Sequence, residues 1–485
     1  MSGRSMRGAS TIALVAAAVT LGACHLGPDY RHPETATPAG WREGDAAQGA
    51  QWPAPDWWQG FGSTELNALM AEAQRANADL GAAAARVKEA DAQARIAGAP
   101  LLPSIEATGG PATQQITSPF SPNRQIHYST YTAAVSASYE IDFWGKNAAA
   151  LTAAKATAVA SRYDEEVVTL SVVSSVATTY FQALGLQDRL QIARDNLANA
   201  EDVLAIIRGR RRIGTAADLE LAQQETVVAG LRAAIPPLEQ QLAQMLDALA
   251  ILLVEPPDEV KLAARSLAPL LAPSVAPGLP SELLARRPDV REAEAQLVSA
   301  NANIKVARAQ FFPSVSLTAE GGFESLAASR FLSLGTGIYS LAASVTQPIF
   351  EGGRLEGQLA FTQARYEELL WDYRKAVVAA FSNVEDALAA TRRTAEQQAA
   401  EEIALAQARR AYQVAQAQYR VGSVDLLTVL NTENALFTAD DLLAQIRIAH
   451  MQALVSLFNA LGGGWKDEPS AAPTTASLPT RDDHQ

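Results

Sequence analysis

The 485-residue sequence holds a single cysteine, Cys24. No intrachain disulfide can form, and no cysteine-based zinc site. The five histidines (His25, His32, His127, His450 and His484) are scattered and never fall at the spacing of an HExxH pair. Basic residues are in deficit, 39 against 52 acidic, for a formal charge of −13. A nucleic-acid binder would carry a basic face instead. GxSxG, Walker A and dinucleotide-binding fingerprints are missing. Gly462-Gly463-Gly464 closes a helical pattern rather than opening one, so it reads as a stop signal. Acidic doublets such as Glu401-Glu402 and Asp440-Asp441 read as solvated helix faces. The expectation is a protein that is not an enzyme, with no catalytic residue, cofactor or metal. After the first two dozen residues no uninterrupted apolar run reaches 18, so no membrane-spanning helix is expected. A chain of this kind that crosses a membrane must do so with β-strands. Wholesale disorder is excluded by a 48% hydrophobic content.

Arg4 and Arg7 precede an apolar run from Ile12 to Leu21, followed by Leu21-Gly22-Ala23-Cys24. A span needs about 20 helical residues, so residues 1–23 read as a secretory leader. The cysteine directly after small residues resembles the bacterial lipoprotein box, in which it is acylated and becomes the first residue. An ordinary leader with an incidental cysteine is the alternative. Several acyl chains anchor a protein stably where one does not. His25, rather than an aspartate, follows Cys24, which by the same resemblance implies sorting to the outer membrane. Loss of Arg4 and Arg7 with the leader takes the charge from −13 to −15.

The chain is internally duplicated. Asp79–Thr108 and Asp289–Thr318 share ten of thirty positions at an offset of 210, including Pro103-Ser104 and Pro313-Ser314. Ile141 and Gly145 match Ile349 and Gly353 at offset 208, as Gly214, Leu219 and Glu225 match Gly422, Leu427 and Glu433. Two copies in the same order imply a pseudo-twofold unit of about 200 residues. Each copy begins with a helix (Ser63–Ala99, Ser281–Gln310), with Ser63 and Ser281 as candidate N-caps. Proline then ends it (Pro103, Pro313). Next comes strict alternation: Tyr131, Ala133, Val135, Ala137, Tyr139 and Ile141 against mostly polar neighbours, and Tyr339, Leu341, Ala343 and Val345 against Ser340, Ala342, Ser344 and Thr346. Shorter partner strands start at Ser104 and Ser314, with loops over Gly109–Tyr128 and Gly321–Gly337. Lys146–Arg212 and Leu355–Arg420 then run 67 and 66 residues without proline. At 1.5 Å per residue each reaches about 100 Å, longer than an ordinary bundle of this size needs. A glycine reverses each (Gly214, Gly422), and a returning helix ends near Val254 or at Gly462–Trp465. Pro236-Pro237 is expected to interrupt the first returning helix.

Four candidate transmembrane strands cannot close alone, since membrane barrels start at about eight. Two open edges in lipid would cost several kcal/mol per unsatisfied backbone group. The strands must therefore close with those of other copies. A soluble four-stranded sheet and a periplasmic coiled coil without a channel are the rivals.

Several motifs together carry a family resemblance. They are Cys24 with Gly27-Pro28-Asp29-Tyr30; Trp57-Trp58 with Phe61; Ile235-Pro236-Pro237-Leu238-Glu239; Gly278-Leu279-Pro280-Ser281 with Arg286-Arg287-Pro288-Asp289; Pro348-Ile349-Phe350 with Gly352-Gly353; and Leu461–Trp465. From Cys24 to Trp465 the chain resembles the TolC-like outer-membrane efflux proteins, in their OprM/NodT-type lipoprotein branch. Ser63-Thr64 departs from the family's usual Asp-Pro, a change that keeps a capping residue. The resemblance implies a mainly α protein with a transmembrane β-barrel part. A homotrimer would supply twelve strands, continued by a long periplasmic helical barrel. Residues 1–23 would be the leader, 24–62 a lipid-anchored equatorial segment, 63–277 and 278–465 the two repeats, and 466–485 a disordered tail. The function implied is the passive exit duct of a tripartite efflux pump, alongside a periplasmic adaptor protein and an inner-membrane transporter of the RND type. The alternative is the channel of a type I protein-secretion system.

The resemblance also proposes sites. Cys24 would carry covalent lipid. Arg208, Arg212 and Gly214 at one hairpin tip, and Arg420, Gly422 and Ser423 at the other, match the family's adaptor-docking tips. Cations at a helix C-terminus are favourable in any case, by about 0.3–1 kcal/mol each. Leu427 and Asn431 lie four residues apart on one helical face, where a ring of leucines could exclude water at a periplasmic gate. Leu427 as an ordinary interhelix core residue is the alternative. Relatives commonly carry aspartate at the position of Asn431, which implies cation selectivity there; this sequence has a neutral amide instead.

Overall fold

The computed structural model describes residues 29–43, 52–118, 121–275 and 280–466, with Gly27 and Gly278. Cys24, the leader and the tail beyond Lys466 lie outside the described residues. In chain order the main elements are α1 (Thr64–Ala76), α2 (Ala78–Gly98), β1 (Ser104–Ser118), β2 (Ser121–Ile141), α3 (Lys146–Arg212), α4 (Asp218–Leu253), α5 (Pro288–Ala309), β3 (Ser314–Ser325), β4 (Gly337–Thr346), α6 (Arg354–Arg420) and α7 (Leu426–Ala460). The second set repeats the order of the first.

Three local departures from the sequence pattern have physical causes. The first helix breaks at Asn77, whose ψ is 131°. Its Oδ1 accepts from the Asp79 and Leu80 amides at 2.9 and 3.2 Å, restarting the helix, while Nδ2 donates to the Leu252 carbonyl at 2.8 Å. Ser281 is not the cap of the matching helix. A single turn at Pro280–Leu283 stops, and α5 starts at Pro288, where Pro at the first turn costs no hydrogen bond. Pro236-Pro237 does not break α4, which continues through both. Each proline forfeits one backbone bond, but Ile235 and Leu238 pack on Leu186 and Leu190 and hold the helix in line.

The strands form one antiparallel sheet in the order β1-β2-β3-β4. Its register sorts the residues into two faces. One carries rows such as Ile105–Ala137–Ala319–Leu341 and Ala107–Val135–Gly321–Tyr339; the next rows add Tyr139–Leu317–Ala343 and Ile141–Val315–Val345. The other carries Ser104–Ser138–Thr318–Ala342 and Glu106–Ser136–Glu320–Ser340. The apolar face is bare, with Tyr339 85% and Leu341 78% exposed. The expected loop over Gly109–Tyr128 is mostly strand instead. β1 and β2 stay paired to Ser118 and Ser121, well beyond Tyr131, where β3 ends at Ser325. Cross-strand side chains hold this polar ribbon, Tyr128 donating to Gln114 at 3.0 Å and Thr113 bonding Ser129 at 3.1 Å.

The chain divides into two compact units, and both repeats contribute to each. The sheet unit takes Ala83–Asp164, Glu292–Ala376 and the described part of Met1–Thr35. In it Tyr30 donates to Glu294 at 3.3 Å and packs with Leu297, Ala300 and Leu369. The other unit takes Ala36–Ala82, Glu165–Arg291 and the described residues from Val377 onward. Its main core gathers Trp57, Phe61, Leu66, Val176, Tyr180, Phe181, Leu184, Leu253 and Phe458. Trp57 stacks on Phe458 at 4.7 Å and Phe61 meets Phe181 at 4.8 Å. Ser63 caps α1, accepting from the Leu66 amide at 3.0 Å and bonding the Tyr180 hydroxyl at 3.0 Å. α3 is the one described helix long and apolar enough by composition to cross a membrane. Its apolar residues from Val172 to Leu184 are the hub of this core instead.

Candidate functional site

Both hairpin tips use one backbone device. The Gly214 amide donates to the Arg211 carbonyl at 3.0 Å and the Thr215 amide to Arg210 at 2.9 Å. At the second tip Gly422 donates to Tyr419 and Ser423 to Gln418, each at 3.0 Å. Gly214 and Gly422 have φ of 74° and 77°, the left-handed region that a side chain penalises. A Cβ at either would meet nothing within 4 Å, so the surface over both turns is open. The tip arginines differ in their partners. Arg208 pairs with Glu225 at 2.9 Å, Arg211 pairs with Asp218, and Arg210 lies 4.7 Å over the Tyr419 ring. Arg208 and Arg212 line a groove of about 650 Å³ between α3 and α4, with Glu201, Glu225, Val228 and Arg232. Arg420 and Ser423 are exposed at the second tip.

Asp425 caps the helix that follows, accepting from the Thr428 amide at 3.0 Å and the Thr428 hydroxyl at 2.6 Å. Those bonds hold the Asp425 carboxyl below its usual range. Leu427 is 56% exposed and Asn431 is exposed beside it. Within the chain, Leu427 is thus not a core residue. The core face of α7 is Leu426, Val429, Leu436 and Phe437, which pack with Val203, Ile207, Tyr412 and Tyr419.

One functional candidate went unread in the sequence. Glu433 is 1% exposed on that core face, and neither carboxylate oxygen has a hydrogen-bond partner. Burial pushes its carboxyl up to about 7. The signal was present in the spacing: Leu426, Val429, Glu433, Leu436 and Phe437 form a single apolar stripe with an acid in it. Its repeat counterpart, Glu225, sits at the surface with Arg208. The acidic doublets are paired as well: Asp440 with Arg409 at 3.2 Å, Asp441 with Arg189 at 2.7 Å, and Glu402 with Arg447 at 3.3 Å.

Nothing in this arrangement forms a nucleophile–base pair. What it offers is an exposed apolar sheet face, two open tips and one exposed leucine–asparagine face. A family profile described as "Outer membrane efflux protein" matches residues 69–253 and 279–463, one copy for each repeat. The chain is 41% identical over 466 residues to the pyoverdine export outer membrane protein OpmQ of Pseudomonas aeruginosa, covering 94% of this chain and 97% of that protein. It is 34% identical over 484 residues to the probable efflux pump outer membrane protein TtgC of Pseudomonas putida, covering 97% and 99%. The solved outer-membrane channel OprN superposes with a TM-score of 0.86 at 27% identity, over 91% of this chain and 100% of that one. Sequence duplication, sheet and helical hairpins therefore agree: the chain belongs to the outer membrane efflux protein family, whose TolC-like members are outer-membrane channels with a long periplasmic extension rather than enzymes.

Proposed function

We propose that three copies of the chain close a twelve-stranded barrel and form the passive exit duct of a tripartite pump. The observation that carries this reading is the four-stranded sheet with a bare apolar face and two unpaired edges, β1 and β4. In lipid each unsatisfied edge group costs several kcal/mol, and closure with neighbouring copies removes the edges. Lipid on Cys24 anchors residues 24–62, and the two repeats, 63–277 and 278–465, supply two strands each. The tips around Gly214 and Gly422 receive the hairpins of a periplasmic adaptor, which links the duct to an inner-membrane transporter of the RND type. The ring of Leu427 and Asn431 shuts the resting duct. Cargo is whatever the transporter delivers; pyoverdine, named in the 41%-identical relative, is the first to assay.

The test is the purified, detergent-solubilised protein. Light scattering should give three copies, and planar bilayers should show discrete conductance steps. A folded monomer that stays silent in bilayers overturns the reading.

A further inference from the structure

The helix that exposes Leu427 and Asn431 carries Glu433 on its buried face. That side chain sits among four helices. Gln224 of α4 is fully buried and donates its Nε2 to the Ala200 carbonyl at 3.0 Å, leaving its Oε1 without a donor. Tyr412 and Tyr419 approach from α6, and the Tyr419 hydroxyl has no partner. Tyr412 feels the charges of Glu433, of Asp202 on α3 and, with opposite sign, of Arg420 on α6. Glu225, which follows Gln224 on α4, is engaged with Arg208 at the surface. No cation bonds Glu433, and neither of its oxygens receives a hydrogen bond.

An ionised carboxylate in such a place is a buried charge without compensation, which is strongly unfavourable. A neutral carboxylic acid is different, because its O–H can donate to an acceptor. The unfilled Gln224 Oε1 is such an acceptor, so one proton satisfies two orphaned groups.

We propose that Glu433 is a proton-held positioning residue for α7: neutral, it locks the helix into the four-helix core, and ionised, it loosens the segment that carries Leu427 and Asn431. The effect on the duct rests on those two residues forming the gate; the effect on α7 does not. The pH sense follows from burial. The folded protein holds the proton up to about 7, while an exposed glutamate releases it near 4.5. The stabilisation is fully present below about 4.5, declines as pH rises, and is gone above about 7. Acid tightens the tip and alkali frees it.

Hydrogen exchange of the Leu426–Phe437 segment in the full-length channel, at pH values from 5.5 to 8.5 with the intrinsic rate divided out, reads this directly. Over that range the protonated fraction falls from roughly 97% to roughly 3% for a group titrating at 7. Wild type should lose protection with a midpoint near 7. Glu433→Gln, which keeps the shape and cannot ionise, should stay protected throughout. Gln224→Met removes the acceptor for that proton, so its midpoint should move downward; this variant keeps the idea testable if Glu433→Gln folds poorly. A flat wild-type profile, or the same midpoint in all three proteins, overturns the proposal. Single-channel conductance recorded in parallel separates the two layers. A protection profile that titrates only in the presence of Glu433, with conductance flat in every protein, upholds the proton lock and removes the gate assignment.

Discussion

The two faces of the sheet make a sharp mutational contrast between adjacent residues. From Tyr131 to Ile141 the apolar alternation of β2 runs ten residue steps. At about 3.3 Å per step and a tilt of about 40°, that gives a band of about 25 Å, the apolar height of outer-membrane barrels. Ala137 lies near the middle, in the row Ile105–Ala137–Ala319–Leu341. Ala137→Lys places a cation against lipid near the midplane and should cost about 2–4 kcal/mol per chain. Ser136→Lys differs by one position and faces the other way, directly opposite Glu106 on β1 and Glu320 on β3. Opposite charges across strands contribute about 0.2–1 kcal/mol each, so that variant should be neutral or slightly stabilised. The difference of about 2 kcal/mol or more is a factor of about thirty in the folded ratio. Urea unfolding from lipid vesicles, with the temperature at which the oligomer dissociates on a gel as a second reading, measures it. Equal damage from both substitutions, or more from Ser136→Lys, would refute the face assignment and the membrane role of the sheet.

Three further outcomes are expected. Cys24→Ala should abolish incorporation of a fatty-acid analogue, while some barrel insertion persists through the strands; equal labelling of both proteins would remove the lipid anchor. Leu427→Ala and Asn431→Ala should each raise single-channel conductance without loss of the trimer, because both side chains are exposed and carry no core packing; closed-level conductance in both would locate the gate elsewhere. Valine at Gly214 or Gly422 forces a β-branched residue into φ above 70°, at a cost of about 1–3 kcal/mol of local strain. It should lower cross-linking to the adaptor while trimers survive, and undiminished cross-linking would argue against docking there.

Length and periodicity made the long elements legible. α3 has the bounds expected from its proline-free run, and α6 begins one residue earlier than expected. Turn chemistry at Gly214 and Gly422 was equally plain, since a left-handed turn has few residues to choose from. What the sequence did not reveal depends on partners far along the chain. Asn77 breaks a helix because Leu252 offers it a carbonyl. Arg287 is buried because the Ala460 carbonyl and Asp289 receive it at 3.0 and 2.9 Å. The ribbon beyond Tyr131 looked like a loop because Gly109, Gly110, Pro111 and Pro122 are disfavoured in strands, and only cross-strand bonds reveal the pairing. Alternation separated the two faces of each strand, but the register was needed to line up Glu106, Ser136 and Glu320 on one side. Glu433 is a different case: the sequence shows it as the repeat counterpart of Glu225, and its burial marks it as a member of the apolar stripe.

The ring of Trp57 against Phe458 has a consequence for how the protein is made. Trp57 and Phe458 are separated by some four hundred residues, yet they stack at 4.7 Å. Gly464 follows, so close to Ala54 that a Cβ there would lie 2.3 Å from the Ala54 carbonyl carbon. The stretch that enters the periplasm first thus waits for the stretch that enters last. Until translocation finishes, the Phe61 and Tyr180 pocket stays open, a state rich in exposed apolar surface and prone to aggregate. Loop closure over such a distance is slow, so that apolar surface stays uncovered until the C-terminal helix arrives. A chain truncated before Phe458 should never mature, however intact its barrel strands and hairpins are.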